Sequence, residues 1–217
     1  MTKSSIFLTR IGAAVSASVI FGLLIAGGAG GSYWLRAVGL AVLYGFFFLL
    51  GTGYRIVLAT FLVPWRQNAS AAWSGAAASV ALATAGVIAV LSADPPLAAR
   101  FAAASGLALN VAYVIVKQAC IGAGCCRAMQ YRKSLDLRRL EMVLTGAIAV
   151  AAGFAVLSGR DGAAALLAFG GHLAVRYYSR FARGRSPSNG FYQSGRGLEL
   201  VPLMVVSLFS AWLMASP

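Results

Sequence analysis

Acid is the scarcest commodity in this chain of 217 residues. Asp and Glu together number 5, against 18 Lys and Arg, and there is 1 histidine. So few carboxylates exclude a carboxylate-rich metal centre or an extended acidic proton pathway. Cysteine is nearly as rare, and a count of 3 excludes a full disulfide framework. Zinc is disfavoured as well: His172 lies far along the chain from Cys120, Cys125 and Cys126. Cys120 and Cys125 would also fall on different faces of a continuing helix. Neither a metal nor another cofactor is expected. Charge of both signs amounts to 11% of residues, well below the roughly 25% of soluble domains.

What fills the chain instead is apolar. Sixty per cent of residues are hydrophobic, and several runs reach the roughly 20 residues that cross a bilayer as a helix. The runs are continuous and do not alternate at period two, which argues against a β-barrel. The expected fold is an all-α integral membrane protein, a single polytopic domain of about seven helices in one bundle. Its spans fall near 7–29, 33–63, 71–92, 98–122, 140–158, 163–182 and 198–215. The first run follows Lys3 and Arg10 as a signal peptide would, but its length favours an uncleaved span. The long second run bends near Gly51-Thr52-Gly53 and is closed by Pro64. SADPP closes the third, Gly159 to Gly162 forms a tight turn, and GRSPSNGFYQSGRG is a loop. Alanine and glycine throughout the spans allow close helix approach in lipid.

A net charge of +13 would point to nucleic acid in a soluble chain. Here no aromatic-and-basic platform accompanies it, so nucleic acid is not an expected partner. The basic residues sit in the gaps between spans, where they read anionic headgroups or set topology. One side collects Lys3, Arg10, Arg66, Arg127, Arg132, Lys133, Arg138, Arg139, Arg180, Arg183, Arg185 and Arg196; the other holds Arg36, Arg100 and Arg160. Taken alone, this bias puts the basic side in the cytoplasm.

Lys117 and Arg176 fall within spans, where a charge costs at least about 2.5 kcal/mol on insertion scales and marks a functional position by default. For Lys117 the plain alternative is snorkelling to the nearby interface. Arg176, Arg180 and Arg183 are spaced i, i+4, i+7 and share a helix face. With the basic loop around Arg127 they form a cationic pocket suited to phosphate, which arginine binds bidentately. A solvated flank that merely sets orientation is the alternative. Glu141 heads the fifth span, where the helix dipole favours a carboxylate. His172 is a proton-acceptor candidate or a histidine bonded to a neighbouring helix.

The stretch Lys117-Gln118-Ala119-Cys120-Ile121-Gly122-Ala123-Gly124-Cys125-Cys126-Arg127 resembles the RxGCxxxGCCxG run of the prolipoprotein diacylglyceryl transferases, especially their short bacterial relatives. Glu141, the turn ending at Gly162, HLAVRYYSRFARG and a final span follow in the same order as in that family. Arg176, Phe181, Arg183 and Gly184 match its YGxxRFxxEFxRG segment. Lys117 stands where the family has arginine, Arg180 where it has an acid, and His172-Leu173 where it has Tyr-Gly; its histidine-glycine-glycine stretch is absent. The resemblance implies transfer of the diacylglyceryl group of phosphatidylglycerol to a thiol in the bacterial cytoplasmic membrane. Arg176 and then His172 would be the catalytic residues. Lys117, Arg176, Arg180, Arg183 and Arg127 would bind the headgroup, and Cys120, Gly124, Cys125, Cys126 and Glu141 would be structural. The partner would be an anionic phospholipid. Topology in the family places the loop after the fourth span outside, opposite to the charge bias. The second reading is a catalytically inactive member of the same fold, an assembly subunit whose partners are other membrane proteins. The charge reversal at Arg180 and the want of a base to activate a thiol favour it.

Overall fold

A computed structural model of the chain describes residues 3–29, 38, 41–42, 44–45, 69–122, 130–131, 135–182 and 199–215. Among them are six helices: α1 (Lys3–Ala29), α2 (Ala69–Val90), α3 (Pro95–Gly122), α4 (Leu137–Leu157), α5 (Asp161–Ala182) and α6 (Leu200–Ala215). A two-stranded antiparallel ribbon, β1 (Gln130–Tyr131) and β2 (Leu135–Asp136), joins α3 to α4. Two helical stretches among the described residues are long and apolar enough to cross a membrane, Pro95–Ala119 and Leu137–Leu157. Most of the expected second span lies outside the described residues, although Val38, Ala41, Val42, Tyr44 and Gly45 are helical. Gly51-Thr52-Gly53, Pro64 and the 184–197 loop also lie outside them.

Local chemistry sets the helix ends. Pro95 opens α3, where its missing N–H loses nothing, and Asp94 Oδ1 accepts the Leu97 N–H at 3.2 Å. Asp136 caps α4 by accepting the Arg138 N–H at 3.0 Å, so the cap belongs to Asp136 and not to Glu141, which lies one turn inside. That side chain also accepts from Arg138 Nε at 2.9 Å and Nη2 at 2.8 Å. The bonded guanidinium holds the Asp136 carboxyl below the usual carboxylate range. At the other end of α4 the Arg160 N–H returns to Ala155 and the Gly159 N–H to Val156. This double return needs a left-handed residue, and Gly159 supplies it at φ 71°.

The interior is built from small residues. Ala77, Ala81, Ala98, Ala102, Ala164 and Ala165 are fully buried, while Val19, Leu23, Val150, Phe154, Leu208 and Trp212 are exposed on the outer faces. A water-soluble bundle places its large apolar side chains the other way round. Small interior residues let backbones approach closely. At Gly106 of α3 a Cβ would lie 2.7 Å from the Ala168 Cβ of α5, and at Gly162 of α5 it would lie 2.9 Å from the Met214 backbone of α6.

Helix α3 is the hub, touching α1, α2, α4, α5 and α6. It runs parallel to α5, as three pairings at near-constant sequence separation establish: Arg100 to Asp161 (61), Asn110 to His172 (62) and Tyr113 to Arg176 (63). Helix α4 runs back between them.

Candidate functional site

Two rows of polar side chains face each other across this parallel α3–α5 contact. Asn110, Tyr113 and Lys117 are spaced i, i+3, i+7, and His172 and Arg176 are spaced i, i+4, so each set lies on one helix face. In hydrocarbon such rows persist only when their members satisfy one another.

The inner rung is neutral. The Asn110 amide nitrogen donates to the Gly106 carbonyl at 2.8 Å and the Ala168 carbonyl at 3.0 Å. Its oxygen therefore faces His172 Nδ1, 3.0 Å away. With the amide so fixed, Nδ1 carries the hydrogen and donates. The His172 ring also meets the Tyr113 ring edge-on, with centroids 5.0 Å apart.

The outer rung is charged. Tyr113 donates its hydroxyl hydrogen to Glu141 Oε2 at 2.7 Å and accepts from Arg176 Nη1 at 2.9 Å. Glu141 Oε2 is also ion-paired with Lys117 Nζ. Arg176 gives Nε–H and Nη2–H to Glu199 Oε1, at 3.1 and 2.7 Å. Both cations lie over the Tyr113 ring, Lys117 Nζ at 5.2 Å and Arg176 Cζ at 5.6 Å from its centroid. Lys117, Glu141, Arg176 and Glu199 are each at most 8% exposed. Two positive and two negative charges thus share one buried tyrosine, and four helices supply them. Arg176 commits three of the five guanidinium N–H groups to these partners. Among the described residues, Oε2 of Glu199 and Oγ1 of Thr145 are buried without a hydrogen-bond partner.

Of the residues the sequence singled out, Lys117, Glu141, His172 and Arg176 come together here. Lys117 does not snorkel; it turns inward because Glu141 on α4 faces it. Gly124, Cys125, Cys126, Arg127 and Arg183 lie outside the described residues, as do the side chains of Cys120 and Arg180. Tyr113, Asn110 and Glu199 were not anticipated. The spacing of Asn110, Tyr113 and Lys117 was a signal available in the sequence for the first two. Glu199 had none beyond being a rare acid at the start of an apolar run.

Among the described residues no group of three or more His, Cys, Asp or Glu side chains is placed to hold a metal ion. Compared with protein-family models, curated proteins and solved structures, the chain matches none.

Proposed function

We propose that the chain is a multi-pass protein of the bacterial cytoplasmic membrane, a bundle of about seven helices, that binds an anionic phospholipid headgroup at its basic end. There it moves the lipid's diacylglyceryl group to a thiol, as the transferases it resembles do. One observation carries the reading: Lys117, Glu141 and Arg176, which carry the resemblance in three separate stretches, converge on one buried hydroxyl. The outward valines, leucines and aromatics support the membrane setting, since water-soluble monomers rarely expose large apolar surfaces.

In this reading Arg176 is the phosphate-binding catalytic residue. Its remaining guanidinium N–H groups stabilise the leaving phosphate. Glu199 and Tyr113 hold the guanidinium plane, and Glu199 supplies the acid that Arg180 displaces from the family pattern. Lys117 with Arg180, Arg183 and Arg127 adds positive potential for the headgroup, and His172 is positioned by Asn110 as a further candidate. The test is transfer of a labelled diacylglyceryl group from phosphatidylglycerol to a cysteine peptide in membranes carrying the chain. Arg176→Lys keeps the charge and loses the fork, so transfer should fall at least about tenfold while the helical signal is retained. Full activity in that variant overturns the assignment.

The balance of charge favours a second reading. Lys117 and Arg176 are each matched by a carboxylate, so the network can lock four helices together with no ligand at all. The chain would then be a non-catalytic assembly subunit of a larger membrane complex. Stoichiometric co-purification with other chains supports that reading, and a clean single chain after gentle extraction contradicts it.

A further inference from the structure

Glu199 divides its two oxygens unequally. Oε1 accepts both N–H groups that Arg176 directs at it, at 3.1 and 2.7 Å. Oε2 is buried and has no hydrogen-bond partner among the described residues, in a side chain 1% exposed. A charged acceptor shut away from water without a donor is among the least favourable arrangements in a folded chain. Glu199 immediately precedes α6, and its carbonyl accepts the Leu203 N–H at 3.0 Å. The carboxylate therefore sits at the end of the bundle, beside the first turn of a helix.

We propose that Oε2 of Glu199 is a subsite for a neutral hydrogen-bond donor, a hydroxyl group on the headgroup of an anionic amphiphile. Only a donor suits it, because an ionised carboxylate accepts and does not donate. Charge then chooses among donors. Lys117 and Arg176 already cancel Glu141 and Glu199, so a hydroxyl satisfies Oε2 without disturbing the balance. An ammonium group would leave the buried cluster with an unmatched positive charge. The amphiphile's phosphate is held by Arg176, a few ångströms along the same guanidinium–carboxylate pair. This inference rests on the lipid-binding reading and specifies which headgroup the site prefers.

The test uses the full chain in mild detergent and native mass spectrometry. Phosphatidylglycerol competes with phosphatidylethanol of the same acyl chains, which has the same phosphodiester charge and no hydroxyl. The native chain should retain phosphatidylglycerol at least about tenfold better, the scale of one hydrogen bond to a charged group. Glu199→Gln should cut that preference to about twofold or less, since the ionised acceptor is gone. The comparison on the native chain needs no variant, so a misfolded Gln variant leaves the proposal decidable. Equal retention of the two lipids, or selection of phosphatidylethanolamine over both, overturns the hydroxyl subsite while leaving anionic lipid binding in place. Retention of neither anionic lipid overturns the lipid-binding reading, and the subsite with it.

Discussion

The two ends of the α3–α5 contact carry the same kinds of charge under different conditions. At one end Arg100 meets Asp161 through Nε at 3.1 Å and Nη1 at 3.2 Å, with side chains 28% and 17% exposed. Lys117 lies about 25 Å further along α3, at 1.5 Å per residue. There Lys117, Glu141, Arg176 and Glu199 are buried, the side chains of the Arg176–Glu199 pair being 6% and 1% exposed. The first pair stays in reach of solvent and locks the helices loosely. The second arrangement withdraws four charges from water, which is tolerable only because each has an opposite and a hydrogen bond to Tyr113 or to its partner. A protein that needed only helix registration had the cheaper device already at its other end. The extra burial is the physical case for function at Tyr113.

Breaking the buried rung should have the largest effect. Glu141→Ala strands Lys117 and Glu199→Ala strands Arg176, and either should cost about 3–5 kcal/mol. Loss of helical circular dichroism on heating in detergent measures it. An effect as small as that of an exposed pair would mean that the cations relax to water. Gly106→Val comes next, because the new side chain has to enter where a Cβ already lies 2.7 Å from Ala168. Overpacking of this kind costs about 1–3 kcal/mol, and it should also loosen the Asn110–His172 bond one turn away. Exchange protection of the α5 amides reads that loosening.

Asp136→Ala removes the cap of α4, at a cost of about 1 kcal/mol. Because Arg138 holds the Asp136 carboxyl below its model value of 3.8, the carboxylate's contribution is complete above that value. It is lost as pH falls through the lower value of the folded state. The Ala variant should lack this acid-side decline. Arg100→Ala should be the mildest, at or below about 1 kcal/mol for a partly exposed pair, measured by the same thermal midpoint. A large loss there would erase the contrast between the two ends.

Apolar run length and turn chemistry made most helix positions legible. The spans read at 71–92, 140–158 and 163–182 overlap α2 (Ala69–Val90), α4 (Leu137–Leu157) and α5 (Asp161–Ala182). Gly159 announced its turn because few other residues adopt φ of 71° without strain. Lys117 and Arg176 were visible as charges out of place. Their partners were not, since pairing depends on which helix faces which. Sequence spacing fixes a residue's face on its own helix, but not the neighbour it meets. Glu141 looked like a cap because Asp136, the actual cap, stood five residues earlier. Glu199 was hidden by the loop before it, and only the packing of α5 against α6 brings it to Arg176.

The most direct test of the central claim is the lipid that stays with the chain when it is extracted from its own membrane into mild detergent. Native mass spectrometry should find one chain holding one anionic phospholipid, and Arg176→Lys should lose most of it. A chain without bound lipid, held instead in a stoichiometric assembly with other proteins, would contradict the account and leave the buried charges as a helix lock.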